Sequence, residues 1–535
     1  MTTRLQRLER RGPWLFGAAT FVACVAFMPA YPTEWDSIQL TLGVDHFDVT
    51  GGSPHPPGYW LYVFLGRVVT WLTPLPADAA LSVLAAAAAG ATVALTYVLG
   101  RHIGGPRLGV MAAAFLASSP FLLFYGATVS TYTFDALVAV ALILLAVGAA
   151  PRSWHGWAAA GVLGLGAGLR QTTLLILGPL VVVAAVASVR TVRTALAVAG
   201  AGALGLLVWF VPMLVEQPGG WSRYRAFSQE YLDPALEATS ILYGAPKNGI
   251  VNNLGQATGY TLAAIAVLLP VFLFALVLSR VHGASFRSAM YSGRALLLLG
   301  LAVGVPVAFV LLAHFGKAGY VLSYLPALAL LLLWPASRLR GLAFVAVAVL
   351  LALACITDAQ RFVSAAGVLP DSENDSWWFT QHRHGAPYRL TRPLMRQVDR
   401  ETKAYLALAE EFDLNKDVFV YVLEDGGHRF RHAAYTMPEF TMHHVVGGVH
   451  RNSAFDWRMT YSMDTTVEVP PGGRDVYVLD VPIPETTQLE LQGRITAHRL
   501  STGPTVWIVP PGVRMYGVEV VEDPALPRGH RVFVL

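Results

Sequence analysis

Two acidic residues and a proline-rich turn follow the first apolar stretch of the chain, and their types suit catalysis. Glu34 and Asp36 lie in the segment YPTEWDS, and the later segment SPHPPGYWLY contains His55 and Tyr59. Carboxylates close to a hydrocarbon boundary are costly to desolvate and are commonly functional where they occur. A solvated loop with two acids and a turn-forming Pro-Pro-Gly explains the same pattern. Spacing alone does not separate these two interpretations.

Two basic residues interrupt otherwise apolar sequence further along the chain. Arg170 follows the segment GVLGLGAGL, and Lys317 lies in HFGKAGYVLSYLP. An arginine fork matches a phosphate group in two-point geometry, and a lysine supplies a point charge. The two residues therefore form a candidate phosphate site. The alternative for both is that the long side chain extends to lipid headgroups.

Three further polar residues are candidates for the same site. His314 is a possible hydrogen-bond donor to phosphate, although a lone histidine at the end of an apolar segment is more often a packing residue. Tyr132 and Asp135 precede another apolar run and could face the same cavity. The alternative for Asp135 is an ion pair with a neighbouring basic residue.

The composition shows what kind of element must position these residues. The chain has 535 residues, of which 55% are hydrophobic and 13% are charged, and its mean hydropathy is +0.51. Soluble domains contain about 25% charged residues. Residues 1–357 hold 20 Lys/Arg and 11 Asp/Glu, whereas residues 358–535 hold 18 and 23. The sequence therefore predicts a membrane domain over 1–357 and a polar domain over 358–535.

Apolar runs long enough to approach the roughly 20 residues of a membrane span occur about eleven times. The sequence thus predicts an α-helical polytopic membrane protein of about 11 transmembrane helices with a C-terminal α/β domain. The predicted spans are 13–30, 77–99, 108–124, 133–150, 155–169, 171–188, 194–215, 259–279, 295–313, 319–336 and 340–357.

The charges indicate an orientation. With a cytoplasmic N-terminus, 14 of the 20 basic residues of the membrane domain fall inside, and ten of its 11 acids fall outside or at the outer edge. The outer side then has two long loops, 31–76 and 216–258, and it also has the C-terminal domain. Within the first loop, 59–73 is predicted as an interfacial helix, with a true span as the alternative. We expect a multi-pass protein of the plasma (inner) membrane.

Several other classes of site are excluded or disfavoured. Nucleic acid is not an expected partner, because the polar domain is slightly acidic. Cys24 and Cys355 are interpreted as small buried residues. The G-x-G-x-x-G pattern at 200–205 lies inside an apolar span with no strand before it, so close helix packing explains it better than a dinucleotide site. His443, His444 and His450 lack metal-ligand spacing and are interpreted as loop residues.

Taken in order along the chain, these motifs resemble those of the GT-C glycosyltransferases. The likeness comprises an acid after the first span, the HPP-G-Y segment, Arg170 after its Gly/Leu-rich run, and the HFGKAGYVLSYLP segment. It covers about residues 13–357 and is closest to the protein O-mannosyltransferase-like branch and its bacterial relatives, which use polyprenyl-phosphate-linked sugars.

The resemblance implies an inverting transferase that moves a sugar from a polyprenyl phosphate to an exoplasmic hydroxyl of a glycan, lipid or protein. Asp36 would be the catalytic base, and Glu34 would bind the acceptor, tune Asp36 or coordinate a divalent cation. Many family members have adjacent acids, whereas one residue separates them here. No cofactor is certain and no metal ligand is assigned. The other residues expected to bind substrate are His55, Tyr59, Tyr132, Asp135, Arg170, Gln171, His314, Lys317 and Tyr320.

Two other functions are compatible with a polytopic protein. A flippase or transporter of lipid-linked sugar usually has paired repeats with polar groups at the bilayer midplane, whereas the polar residues here collect at one edge. A non-catalytic assembly scaffold is the third.

The polar domain is predicted to be α/β or mostly β. We expect a helix near 391–412 and strands at 418–423, 475–480, 505–509 and 531–535. Its aromatic stretch at 377–379 and the cluster at 429–431 suit either acceptor binding or packing on the membrane domain.

Overall fold

The protein is described by a computed structural model whose contacts divide the chain into two units. Residues 1–29 and 39–394 form the membrane unit, and residues 30–38 and 395–535 form the C-terminal unit. The structure describes residues 2–281, 293–314, 316–366 and 390–411, and parts of 419–525 that include the helices and strands given below.

Sixteen α-helices lie in the described segments of the first 366 residues. In chain order they are α1 (Thr2–Phe27), α2 (Trp35–Asp45), α3 (Trp60–Leu72), α4 (Ala77–Gly104), α5 (Pro106–Ser118), α6 (Pro120–Ala127), α7 (Tyr132–Gly148), α8 (His155–Leu169), α9 (Thr172–Ser188), α10 (Val192–Glu216), α11 (Gly220–Thr239), α12 (Lys247–Ile265), α13 (Leu268–Val281), α14 (Gly293–Leu312), α15 (Leu325–Arg338) and α16 (Gly341–Ser364). Three 3₁₀ helices, Val49–Gly51, Ile241–Tyr243 and Ala318–Ser323, lie between them.

The polytopic helical fold predicted from hydropathy is confirmed, and all eleven predicted spans fall on these helices. Within the described residues, α4, α10, α14 and α16 are each long and apolar enough to cross a membrane. The pairs α5–α6 and α12–α13, bent by 58° and 64°, raise the number to six if each pair is one span. Four more predicted spans fall on shorter apolar helices, namely the part Arg11–Phe27 of α1, and α7, α9 and α15. The remaining predicted span, 155–169, corresponds to α8, which has 15 residues.

Two span boundaries show how local chemistry sets helix ends. The break predicted at Arg170 is confirmed, because α8 ends at Leu169 and α9 begins at Thr172. The tenth span does not begin at 319 as predicted, since a 3₁₀ helix covers Ala318–Ser323 and α15 starts at Leu325. Pro326 lies in the first turn of α15, where its missing N–H costs nothing, so it favours a helix start at this point.

Glycines allow α8 and α10 to pack closely. A Cβ atom on Gly164 would lie 2.7 Å from the carbonyl oxygen of Gly202, and one on Gly205 would lie 2.7 Å from that of Gly161. Any larger residue at these positions would separate the helices. The glycine pattern at 200–205 is therefore a helix contact, as the sequence indicated.

The two long loops that were predicted to lie outside, 31–76 and 216–258, are called the outer loops below and are largely helical. The first contains most of α2, all of α3 and the 3₁₀ helix Val49–Gly51, and the second contains α11 and the start of α12. Residues of both loops share one buried cluster with residues of the spans. Its loop members include Phe47, Trp60, Tyr62 and Tyr224, and its span members include Trp209. The loops are thus parts of the folded core of this unit.

The C-terminal unit combines helices with two sheets, which agrees with the predicted α/β class. Its helices are α17 (Arg392–Glu411), which begins within the membrane unit, and α18 (Pro484–Leu491). Its strands are β1 (Phe419–Leu423), β2 (Thr441–Val445), β3 (Thr466–Val469), β4 (Val476–Leu479), β5 (Thr496–Arg499), β6 (Thr505–Val509), β7 (Arg514–Met515) and β8 (Val518–Glu522). The sheet orders are β2-β1-β4-β6-β5 and β3-β8-β7.

The predicted helix near 391–412 and three predicted strands correspond to α17, β1, β4 and β6. β1 pairs in parallel with β2 and β4, whereas β6 pairs antiparallel with β4 and β5. The interpretation of His443 and His444 as loop residues is wrong. They lie in β2, opposite Tyr421 and Val422. β2 is an edge strand of its sheet, where polar side chains are tolerated, so hydropathy did not reveal it.

Some predictions lie outside the described residues, namely the strand at 531–535, the aromatic stretch at 377–379, the cluster at 429–431 and the loop position of His450. The two cysteines differ from each other. Cys24 is buried as expected, whereas Cys355 is only partly buried, because α16 exposes much of its surface to the surroundings.

Candidate functional site

Arg170 lies at the junction between α8 and α9 and is 4% exposed. Its Nη1 donates a hydrogen bond to Oδ2 of Asp135 over 3.2 Å, and the other oxygen, Oδ1, accepts one from Thr173 Oγ1 over 2.9 Å. Asp135 is 3% exposed and Thr173 is 1% exposed. Among the described residues, the bond to Asp135 is the one hydrogen bond that the guanidinium makes.

Two tyrosine rings pack against this guanidinium. The Cζ atom of Arg170 lies 4.2 Å from the ring centroid of Tyr132 and 4.1 Å from that of Tyr320. The two ring centroids are 5.8 Å apart. Rings at this range attract a cation through their π faces. The three distances place the two rings about a right angle apart around Cζ, so the rings cover part of the guanidinium and leave N–H groups for a further partner.

Gly319 is required for this arrangement. A Cβ atom at Gly319 would overlap the Tyr132 ring, with Cγ and both Cδ atoms among its nearest neighbours. The 3₁₀ helix Ala318–Ser323 brings the glycine against the ring and, one residue later, presents Tyr320 to Arg170. A larger residue at 319 would displace Tyr132 from the cation. This packing role was not recognised from the sequence, although Gly319 lies in the motif that carried the family resemblance.

The HPP-G-Y segment is bonded to the residue that follows Arg170. Nε2 of Gln171 donates to the carbonyl oxygen of Pro57 over 3.0 Å, and the hydroxyl of Tyr224 donates to the same oxygen over 3.1 Å. Gly58 and Tyr59 follow with φ values of +102° and +47°, and the positive φ of Gly58 suits glycine. The hydroxyl of Tyr59 lies 3.3 Å from Nε2 of His55.

Further contacts fasten the two outer loops to each other. Glu216, the last residue of α10, accepts hydrogen bonds from Trp60 Nε1 (2.7 Å) and from Arg67 Nη1 (2.5 Å). Gln217 donates to Oδ1 of Asp48 over 2.9 Å and accepts from the backbone N–H of Val49 over 2.9 Å. These bonds join residues about 150–170 positions apart in the sequence. None of these pairings was predicted.

The far end of the second outer loop contacts His314. The hydroxyl of Thr239 lies 3.0 Å from Nδ1 of His314, and Ser240 Oγ donates to the carbonyl oxygen of Leu312 over 3.0 Å. Burial and the positive charge of Arg170 lower the pKa of His314 to about 4. The imidazole is therefore neutral at physiological pH and can donate a single ring N–H. Lys317 is the residue before the 3₁₀ helix Ala318–Ser323.

Glu34 and Asp36 belong to the C-terminal unit. Asp36 lies in the first turn of α2, where its charge favours the helix dipole, and the carbonyl oxygen of Glu34 accepts the first helical bond from Ile38 (3.2 Å). Within the same unit, the carboxylate of Asp399 in α17 accepts bonds from the backbone N–H groups of Ala30 and Tyr31 over 3.1 Å. The acidic segment is thus held in its own unit by main-chain contacts.

Several predicted site residues meet in the structure. Tyr132, Asp135, Arg170 and Tyr320 form one buried cluster, which we call the Arg170 centre. Asp135 is paired with a basic residue, as the second interpretation of it expected. The residues that sequence reasoning missed are Thr173, Gly319, Tyr224, Glu216 and Gln217. Of these, Gly319 had a sequence signal, because it lies in a motif already singled out.

The described residues contain no group of three or more His, Cys, Asp or Glu side chains that could hold a metal ion. A divalent cation beside Glu34 and Asp36 stays a prediction.

Comparison with known proteins extends the description of the fold. No protein-family model and no curated protein sequence matches the chain. It is similar to the crystal structure of ArnT from Cupriavidus metallidurans bound to undecaprenyl phosphate, with a TM-score of 0.52 and 13% identity over 92% of this chain and 97% of that one. The same ArnT in its apo state gives 0.51 and 11% over the same shares. This likeness shows that the chain has a membrane fold of the GT-C type, shared with these ArnT structures.

Proposed function

We propose that this protein is an integral membrane glycosyltransferase that transfers a sugar from a polyprenyl-phosphate donor to a hydroxyl group outside the cytoplasm. The proposal depends most on the Arg170 centre, where an arginine keeps most of its N–H donors without a partner among the described residues. The ArnT of similar fold was crystallised with undecaprenyl phosphate, which supports a donor of the same chemical class.

The leaving group defines what the cations must do. When the bond between the anomeric carbon and the phosphate oxygen breaks, the polyprenyl phosphate leaves with an additional negative charge. Arginine and lysine can stabilise this charge without a proton transfer, because phosphate is a good leaving group at neutral pH. We assign Arg170 as the main phosphate ligand and Lys317 as the second cation.

The acceptor oxygen must lose a proton as it attacks the anomeric carbon. We assign Asp36 as the base that takes this proton, on the basis of its place after the first span. Attack from the face opposite the phosphate forms the new bond as the old one breaks and inverts the anomeric configuration. Glu34 then binds the acceptor or a divalent cation.

The remaining predicted residues receive supporting roles. His55, Tyr59 and Gln171 bind the sugar-phosphate head or its neighbours, and His314 donates one N–H to a phosphate oxygen. The narrower likeness to the protein O-mannosyltransferase-like branch rests on the short sequence motifs. The acceptor is proposed to be a glycan, a lipid or a protein hydroxyl.

We further propose that the N-terminus is cytoplasmic, that the C-terminal domain is outside, and that the membrane is the plasma (inner) membrane. The segregation of basic and acidic residues supports this orientation. A reporter that is active only in the cytoplasm, fused after Leu535, should be inactive. Activity of that reporter would contradict the orientation.

The function is tested with purified protein and a synthetic polyprenyl-phosphate sugar. Asp36→Asn should reduce transfer by at least about a hundredfold, because a positioned general base contributes about 10²–10⁴ to the rate. The matched control is Asp45→Asn, which removes the exposed carboxylate at the other end of α2 and should retain transfer.

Two results would overturn parts of the proposal. Full transfer by Asp36→Asn would exclude Asp36 as the base. Movement of lipid-linked sugar across vesicle membranes, with no transfer by the unsubstituted protein and no effect of Asp36→Asn, would establish the transporter function instead.

A further inference from the structure

The buried carboxylate of Asp135 has a role that substrate binding does not explain. Both of its oxygens are occupied, Oδ2 by Arg170 over 3.2 Å and Oδ1 by Thr173 over 2.9 Å. Its side chain is 3% exposed, so a sugar or phosphate has little access to it. The carboxylate therefore contacts Arg170 and Thr173 rather than a ligand.

We propose that Asp135, oriented by Thr173, is a positioning residue that fixes the guanidinium edge of Arg170 for in-plane contact with a phosphate group. The inference rests on the proposed function, because it assumes that Arg170 binds the phosphate of the lipid donor.

The geometry limits how Arg170 can move. The rings of Tyr132 and Tyr320 contact the guanidinium from two directions about a right angle apart, and these contacts restrict its position. The bond from Asp135 to one terminal nitrogen then fixes the rotation of the group in its own plane. The other N–H donors therefore keep one direction, and a phosphate that approaches them meets a fixed fork.

Thr173 completes the arrangement from the next helix. Its hydroxyl group is on the first full turn of α9, and its backbone N–H bonds the carbonyl oxygen of Arg170 over 3.1 Å. The same residue therefore contacts both partners of the ion pair, Asp135 through its side chain and Arg170 through its backbone. Because both groups are already fixed before the ligand binds, less conformational entropy is lost on binding.

A double-mutant cycle separates positioning from direct contact. The probe is undecaprenyl phosphate added to the detergent-solubilised full-length protein, and the measured quantity is its Kd. Asp135→Asn keeps the shape of the side chain but removes its charge, and we expect the Kd to rise about tenfold. Arg170→Lys keeps the charge but loses the fork, and we expect about a hundredfold weaker Kd.

The decisive variant is the double substitution. If Asp135 acts only through the arginine fork, Asp135→Asn should have no further effect in the Arg170→Lys background. A tenfold loss that persists in that background would overturn the inference, because Asp135 would then act independently of the fork.

Controls address folding. Glu216→Gln changes the carboxylate of the other arginine pair and should alter Kd less than twofold. Thr173→Val is a second, milder variant in case Asp135→Asn does not fold. It should raise the Kd about threefold in the unsubstituted protein and should not raise it further in the Arg170→Lys background. If the single variants Thr173→Val and Asp135→Asn both kept the Kd of the unsubstituted protein, the inference would also be overturned. Absence of saturable binding by the unsubstituted protein would instead overturn the proposed function.

Discussion

Two arginine–carboxylate pairs in the membrane unit use the same chemistry differently. Arg67 is half-buried, with 28% of its side chain exposed, and it makes three hydrogen bonds, to Glu216, to the carbonyl oxygen of Val44 (2.7 Å) and to that of Gly43 (3.0 Å). Arg170 is 4% exposed and makes one, to Asp135. Each of the three guanidinium nitrogens of Arg67 therefore donates one hydrogen bond within the protein, whereas one nitrogen of Arg170 donates to the described residues.

This difference indicates which arginine is structural. Burying an arginine is costly unless its N–H donors make hydrogen bonds. An arginine with a purely structural role is therefore expected to be bonded as Arg67 is. Arg170 instead uses aromatic faces, which stabilise its charge without consuming N–H donors. Exposure alone would have assigned the roles the other way round, with the more exposed arginine as the ligand-binding one.

The largest expected effect comes from exchanging each arginine separately. Arg170→Lys should lower kcat/KM for a polyprenyl-phosphate sugar by about a hundredfold, because loss of one preorganised donor to a developing anion costs about 10²–10³ in rate. Arg67→Lys should lower kcat/KM much less and instead reduce the free energy of unfolding by about 1–2 kcal/mol through lost carbonyl bonds.

Kinetics and thermal unfolding of the two purified variants check this prediction. If Arg67→Lys lost as much transfer as Arg170→Lys at unchanged stability, the assignment of one structural and one functional arginine would be wrong.

A smaller effect is expected from Gly319, which packs against the Tyr132 ring. Gly319→Ala should lower kcat/KM by roughly tenfold, because the new methyl group displaces Tyr132 and removes a cation–π contact of about 1–2 kcal/mol. The matched control is Gly178→Ala in α9, where an added Cβ meets nothing within 4 Å. If Gly319→Ala transferred sugar as fast as Gly178→Ala, the contact between Tyr132 and Arg170 would be dispensable for transfer.

The smallest effect concerns pH. Because the pKa of His314 is lowered from 6.5 to about 4 in the folded protein, the unfolded chain binds a proton first as the pH falls. The stability that neutral His314 contributes is complete above pH 6.5 and is lost progressively toward pH 4. At pH 5 the loss should be roughly 2 kcal/mol.

Thermal unfolding between pH 7.5 and pH 5 measures this loss. His314→Gln, which keeps a hydrogen-bonding group for Thr239, should reduce the pH dependence. An identical dependence in both proteins would exclude His314 as its source.

Much of the fold could be predicted because its signals are local. Each of the eleven apolar runs falls on one or two of the sixteen helices, and the interruption at Arg170 marked the end of α8. The start of α15 was misplaced because Ala318–Ser323 is as apolar as a span but adopts a 3₁₀ helix. His443 and His444 were misplaced because pairing in a sheet, rather than their own polarity, makes them a strand.

The sequence by itself determined that a charged group at position 170 would be costly in apolar surroundings, and so it identified Arg170 as a functional candidate. Only the tertiary structure decided how that cost is met. Asp135 and Tyr320 come from segments 35 and 150 residues away, and their approach depends on helix packing. Residue types are local and carry their chemistry with them, whereas partner choice is a property of the packed core, so the roles of Arg67 and Arg170 separate only in the fold.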